Sequence, residues 1–330
     1  MSAQDQTLVQ YHELMQINAV SHLLRTAGQT GILRELQSGQ KTIGQLCEAL
    51  SLSPEPTGLL LDALISMGFI QKYGDDHALS PAAGLLCNYD ADLGDGRWAR
   101  LADAVAGRRE RQAADLEYHY EHVAATQWIH TPAAIEAAEI LNLGGEGELE
   151  APQILDLGCG AGVWSCAMVH RVGQLGAGQG RVVAVDLPGP LAAAKSMAAS
   201  INVTDHFSTI ESDPLALDDL EPEYDIVLLA QRLFALGSDE QDRLLKKAVS
   251  AVRDGGRLVV IDLFRGPTKP NLTESVEALK LQLDTPAGGM KTLEQAQTQM
   301  RSVGMGQIQF SYLPASRVGM GMLVGSRGGG

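Results

Sequence analysis

The chain has 330 residues, with 25 Lys and Arg against 40 Asp and Glu, for a formal net charge of −15 at pH 7. That length allows two domains, and an acidic balance spread along the chain argues against a nucleic-acid surface. The four cysteines, Cys47, Cys87, Cys159 and Cys166, form no C-x-x-C pair and no zinc-like spacing. They read as reduced thiols rather than a disulfide framework or a metal site. No apolar run reaches membrane-spanning length, and the N-terminus, Met-Ser-Ala-Gln-Asp-Gln, lacks a basic stretch before an apolar core. The expectation is a cytoplasmic protein with no membrane, nucleic-acid or metal partner.

In the first ninety residues, apolar positions Leu14, Ile17, Val20, Leu23, Leu24 and Ala27 recur at helical spacing, predicting a helix over 8–27. Gly28 and Gly31 interrupt it before a short helix through Ile32, Leu33 and Leu36. Thr42 is placed to N-cap the helix that follows, and Ser53-Pro54 opens another running to Met67. Gly68 to Leu79 reads as a hairpin. Helices followed by a hairpin predict a winged helix over residues 1–90. Its recognition-helix candidate carries Glu55 and Asp62 and no Lys or Arg, so it cannot neutralise phosphates. Packing and dimerisation explain the domain better than DNA binding. An apolar stripe on the first helix predicts a homodimer.

Residues 91–150 lack strand patterns and read as a helical connector. Arg108, Arg109 and Arg111 form a basic cluster diluted by Glu110 and Asp115, which reads as a solvated face. The aromatic stretch Tyr118-His119-Tyr120-Glu121-His122 and Trp128-Ile129-His130 stands out in a chain with 5% aromatics. It suits either a pocket for a flat apolar ligand, with His119 and Trp128 lining it, or ordinary helix packing. Thr131-Pro132 is expected to cap and start a helix to Leu143, and Gly144 to Glu150 to serve as a flexible acidic linker.

From residue 151 the pattern changes. Ile154, Leu155 and Leu157 form an apolar run that breaks into Gly158, Gly160 and Gly162 before a helical segment from Val163. A buried strand, a glycine loop and a helix start make a cradle for a nucleotide-like ligand. The dinucleotide fingerprint G-x-G-x-x-G fails, because Val163 stands where its last glycine belongs. Asp156, two residues before the loop, can meet a ligand ammonium or hydrogen-bond the loop's own amides. Arg181 to Asp186 is a second buried strand ending in a carboxylate suited to ribose hydroxyls. Phe207 to Asp213, Tyr224 to Ala230 and Asp254 to Phe264 supply three more strands, and 307–313 with 318–325 a terminal antiparallel pair. Strands alternating with helices predict a parallel sheet with right-handed crossovers.

In order, Leu155-Asp-Leu-Gly-Cys-Gly-Ala-Gly-Val-Trp-Ser165, Val183-Ala-Val-Asp-Leu-Pro188, Tyr224-Asp-Ile-Val-Leu-Leu-Ala230, Gly255-Gly-Arg-Leu-Val-Val-Ile-Asp262 and Thr285-Pro-Ala-Gly-Gly-Met-Lys-Thr-Leu-Glu294 resemble the bacterial two-domain small-molecule O-methyltransferases that use S-adenosylmethionine (SAM). The resemblance implies an α/β fold. A Rossmann-like class I methyltransferase sheet, mostly parallel with an antiparallel last strand, would occupy 151–330 behind a mainly α winged-helix domain. It implies SAM as cofactor and S-adenosylhomocysteine (SAH) as product. It places Gly158 and Gly160 against the methionine part, Asp186 at the ribose, Asp213 at the adenine amino group and Gln231 by the sulfonium, with Asp156, Gly162, Leu187 and Pro214 also among the cofactor-binding residues.

The family's general-base histidine is missing. The chain reads Ala230-Gln-Arg-Leu-Phe-Ala-Leu236, which puts Phe234 in its place, and Leu263-Phe264 follows Asp262 where a supporting acid is usual. A general base is worth ~10²–10⁴-fold and matters most for a weakly acidic hydroxyl. Enols, acidic phenols, carboxylates or carbanions can accept a methyl group held in line without it. His119, His122 and His130 are the candidates for a base from elsewhere, none of them assigned, and Arg232 and Phe234 join the residues expected at a substrate pocket. Methyl transfer to an aromatic or polyketide-like oxygen nucleophile therefore stands beside a second reading, a SAM-binding homologue with other chemistry or none. A transcriptional winged helix is the third.

Overall fold

A computed structural model describes residues 3–89, 93–108, 112–147, 151–175, 180–217, 220–266 and 269–328. The expected cluster residues Arg109 to Arg111 and the linker's last three residues lie outside them. The chain separates into two compact units, Met1–Ala102 and Asp103–Gly330.

The first unit carries α1 (Ala3–Gln29), α2 (Ile32–Gln37), β1 (Lys41–Thr42), α3 (Ile43–Leu50), α4 (Pro54–Ser66), β2 (Ile70–Tyr73), β3 (Asp76–Leu79), α5 (Pro81–Tyr89) and α6 (Asp95–Ala99), ahead of α7 (Leu101–Val105) at the boundary. The three strands form an antiparallel sheet in the order β1-β3-β2. Thr42 caps α3 in a full capping box: its hydroxyl accepts from Gln45 N, and the Gln45 side chain accepts from Thr42 N. Pro54 opens α4, where its missing N–H costs nothing. Leu33, Leu36, Leu46, Leu61, Leu64 and Ile70 close the core. Leu8, Tyr11, Leu14, Met15 and Ile17 on α1 are instead exposed, each more than half.

The second unit begins with α8 (Ala113–Thr126), a 3₁₀ turn over Gln127–His130 and α9 (Thr131–Ile140). Thr131 is the first helical residue rather than a cap, and its hydroxyl donates to Trp128 O at 2.7 Å. Gly144, expected in a flexible linker, holds φ +71° with its α-carbon face against Val172, where a Cβ would lie 3.1 Å from the Val172 backbone. That packing fixes the start of the segment.

Next come β4 (Gln153–Leu157), α10 (Val163–Gln174), β5 (Arg181–Asp186), α11 (Pro188–Ser200), β6 (Phe207–Glu211), β7 (Tyr224–Ala230), α12 (Ser238–Ala251), β8 (Val252–Arg265), α13 (Leu272–Asp284), β9 (Lys291–Thr292), α14 (Leu293–Ser302), β10 (Met305–Tyr312) and β11 (Met320–Arg327). The sheet runs β10-β11-β8-β7-β4-β5-β6, with β9 beside β8. Strands β4 to β8 are parallel, and β10 and β11 antiparallel. Strand side chains alternate between faces. Ile154, Val182, Ala184, Ile226 and Leu228 pack under α9, α10 and α11, while Leu155, Leu157, Val185, Val227 and Leu229 pack under α12 and α14. From β4 the chain steps one way to β5 and β6, and the other way to β7 and β8. The switch point lies between β4 and β7, at whose carboxyl ends such sheets bind ligands.

Candidate functional site

At the switch point, β4 turns into the glycine loop. Gly158, Gly160 and Gly162 have φ of +85°, +57° and +69°, conformations in which a Cβ is strained. The amides of Gly158 and Cys159 both donate to Val185 O, at 2.8 and 3.2 Å. Gly160 N donates to Asp186 Oδ2 at 2.9 Å, and Leu187 N to Asp186 Oδ1 at 2.8 Å. Asp186, 2% exposed, thus ties the loop to the end of β5. An ionised carboxylate has about four lone-pair sites, so each oxygen keeps one to accept from a ligand hydroxyl.

Asp156 does not bond the loop amides; Asp186 does. Buried beside Ser165, Cys159 and Cys166, Asp156 has both carboxylate oxygens without a hydrogen-bond partner. The Ser165 hydroxyl lies close enough to favour its ionised form slightly, yet its bond at 3.4 Å goes to Gly162 O. Burial pushes the Asp156 carboxyl up to about 7. Burial also raises Asp186, against the pull of Arg232 and the two backbone donors.

Beyond β6, Asp213 Oδ1 accepts from Leu215 N at 3.0 Å in a turn that buries Pro214. Beyond β7, Gln231 has φ +56°, an uncommon conformation for a residue with a side chain. Its Oε1 accepts from Trp164 Nε1 at 3.1 Å, and Trp164 stacks on His130 with ring centres 6.1 Å apart. Burial lowers His130 to about 4, which keeps it neutral at pH 7.

Arg232 is the cation among these acids and is 4% exposed. Its Nη2 lies 3.4 Å from Asp213 Oδ1, and its guanidinium sits 3.6 Å from the Tyr120 ring centre. A Cβ on Gly158 would lie 2.7 Å from Arg232 Cδ, and one on Gly160 3.0 Å from Gln127 Nε2. Gln127 Oε1 accepts from Val163 N, the first helical amide of α10, at 3.3 Å. Gln127 escapes the sequence reading, and Tyr120 is named there only within the aromatic stretch, from which the neighbouring His119 and Trp128 are singled out. Those two are only half-buried. The α8 periodicity puts position 120, one residue on, inward, and that was the available signal.

Phe234 is 1% exposed. Its ring meets Phe264 edge-on at 5.3 Å, and Phe264 meets Phe310 likewise at 5.8 Å. Its N–H donates to Asp262 Oδ2 at 3.4 Å and its carbonyl accepts from Gly289 N at 2.9 Å. Phe234 is therefore a core residue fixed on both sides. Asp262, 5% exposed, also accepts from Leu263 N at 2.9 Å, and burial pushes its carboxyl up to about 7. Among the described residues no group of His, Cys, Asp and Glu side chains is placed to hold a metal ion, and no helix is long and apolar enough to cross a membrane.

Residues 154–256 match the family described as a methyltransferase domain. A segment of 120 residues is 30% identical to the bacteriochlorophyllide d C-20 methyltransferase of Chlorobaculum tepidum. That segment covers 36% of this chain and about a third, 33%, of the relative. Human N-acetylserotonin methyltransferase, solved in complex with SAM, superposes with a TM-score of 0.71 at 18% identity, over 99% of both chains. An O-methyltransferase family protein from Burkholderia thailandensis gives 0.70 at 18% identity, over 98% of both. The chain as a whole shares the fold of these solved methyltransferases.

Proposed function

We propose that the protein transfers the methyl group of SAM to an oxygen of a small aromatic or polyketide-like molecule and releases SAH. The observation that carries this is the loop at the switch point. Three positive-φ glycines there form a loop that a buried Asp186 holds through Gly160 N, and the remaining lone pairs of that carboxylate suit ribose hydroxyls.

The residues fit the cofactor. Asp156 has two buried oxygens without partners under the loop, suited to a cationic group. Gly158 and Gly160 would hold the methionine part, Asp186 and Leu187 the ribose, and Asp213 and Pro214 the adenine. Gln231, pinned to Trp164, would border the reacting end. When bound, SAM supplies a methyl group on a positively charged sulfur, which an oxygen nucleophile attacks in line.

The chain's own contribution is chiefly placement and exclusion of water, since the loop, Asp186 and Gln231 are held by hydrogen bonds before any ligand arrives. Near-attack geometry of this kind supplies a large share of such a barrier. Phe234 cannot take a proton, and its burial between Asp262 and Phe264 favours acceptors that ionise unaided, such as acidic phenols, enols and carboxylates. A turnover screen for SAH release against these classes tests the proposal. SAM binding without turnover on any of them would favour a SAM-binding homologue with other chemistry.

The first unit, with its helices and three-stranded sheet, suits a winged-helix domain used for pairing rather than for DNA. The exposed apolar residues of α1 support a homodimer. The four cysteines are free, which suits the cytoplasm.

A further inference from the structure

Three groups expected to touch the cofactor, namely Gly158, Asp186 and Asp213, are all engaged by one side chain of the protein itself. Arg232 leaves the end of β7 and lays its stem on Gly158: a Cβ there would meet Cδ at 2.7 Å and Cγ and Nε at 3.0 Å. No layer of other atoms fits between that stem and the loop. The guanidinium then reaches Asp213, acts on Asp186 through its charge, and rests on the Tyr120 ring.

We infer that Arg232 is a self-ligand of the cofactor slot, and that SAM enters by displacing it. This rests on the proposed cofactor reading. The seat is built for release rather than permanence. Arg232 Nε and Nη1 are buried with no hydrogen-bond partner, and a buried polar group left unpaired is costly. Its ion pair with Asp213 spans 3.4 Å to a side chain that is 46% exposed, and a partly exposed pair adds little. Leaving the slot returns those N–H groups to water and frees Asp213. Tyr120, with a buried hydroxyl that also lacks a partner, supplies the platform. The arginine therefore sets the apparent affinity for the methyl donor, and its charge also screens the slot's acids.

Calorimetric titration of SAM and SAH into the whole protein, the Arg232→Gln variant and the Tyr120→Leu variant tests this. An arginine covering the slot in nine molecules of ten weakens binding about tenfold, so Arg232→Gln is expected to tighten both ligands by about that factor, and Tyr120→Leu by less. Peptide mapping after treatment with phenylglyoxal gives a second reading in the unaltered protein: SAH should raise modification of Arg232. Unchanged or weaker binding by Arg232→Gln, or protection of Arg232 by SAH, overturns the inference while leaving the cofactor reading intact. If neither the protein nor the Arg232→Gln variant binds SAM or SAH, the cofactor reading falls and the inference with it.

Discussion

Gly160 N donates to Asp186 Oδ2 across 2.9 Å, joining the loop after β4 to the last residue of β5. One carboxylate thereby both shapes the glycine loop and keeps lone pairs for a ligand. Its loss should affect binding and local order together. Asp186→Ala is expected to weaken SAM binding at least tenfold, since a hydrogen bond to a charged group is worth ~1.5–3 kcal/mol. Asp186→Asn, which keeps one acceptor oxygen, should fall between the two. Calorimetry showing unchanged affinity in Asp186→Ala would remove Asp186 from the ribose role.

Gly162 packs its α-carbon between α11 and β6. A Cβ there would lie 3.2 Å from both Ala194 Cβ and Phe207 Cζ, and φ is +69°. Neither neighbour is a flexible chain end. Gly162→Ala is therefore expected to cost about 1–2 kcal/mol from the left-handed backbone alone, more with the crowding, read as a lowered urea midpoint. Gly255→Ala is the control for backbone strain, with φ +74° and open space around it, and should cost less.

The order of strands, the glycine loop and the acid at the end of β5 were legible because each is a local pattern: an apolar run, a spacing of glycines, a carboxylate at a strand end. Asp186 as the loop's own fastener was not legible, because nothing in the spacing says which of Asp156 and Asp186 reaches the amides. The cover of the loop was also invisible. Tyr120, Gln127 and Arg232 come from segments separated by more than a hundred residues, and only the packing of α8 and the 3₁₀ turn against the sheet brings them together. Arg232 was legible as a neighbour of the site and not as a side chain lying on Gly158. Missing the half-buried state of His119 and Trp128 has the same origin: aromatic clustering says nothing about which side chains of α8 and of the 3₁₀ turn after it face inward.

Phe234 stands where the sequence resemblance implies a histidine, and its ring belongs to the Phe234–Phe264–Phe310 stack. Restoring the histidine should not restore a base. Phe234→His places a polar ring among apolar neighbours, at a cost of about 1–3 kcal/mol if it finds no partner. The expected result is a lowered melting temperature with no gain in turnover on a weakly acidic alcohol. A gain of tenfold or more on such an alcohol would show that the side chain reaches the reacting oxygen.

Gly288 supports the same turn from outside. A Cβ there would lie 2.6 Å from Phe234 O, a backbone atom, and 2.3 Å from Thr285 Oγ1. Gly288→Ala must therefore push the 233–235 turn away from the loop after α13 and stretch its hydrogen bond from Gly289 N. Both stability and turnover should fall, with SAM affinity changed less than turnover, because the buried 233–235 turn follows Gln231 and Arg232 in the chain and contains none of the groups proposed to hold the cofactor. Equal losses in affinity and turnover would place the turn against the cofactor instead.

Asp262 carries a pH dependence with a defined sign. Burial raises its carboxyl from 3.8 to about 7 in the folded chain. Between those values the unfolded chain releases the proton that the folded chain keeps, so stability falls as pH rises from about 4 through about 7. Asp156, raised to about 7 in the same way, adds a second contribution of the same sign. Asp262→Asn keeps an oxygen to accept from Leu263 N and removes the titration. Its melting temperature should therefore decline less between pH 5 and pH 8 than that of the unaltered protein, and the two should converge toward pH 5. Asp156→Asn should flatten the curve likewise, and the double variant more than either, since the two groups lie on different strands. Parallel curves for Asp262→Asn and the unaltered protein would mean that Asp262 stays ionised in the folded chain throughout this range, held by the Leu263 and Phe234 amides.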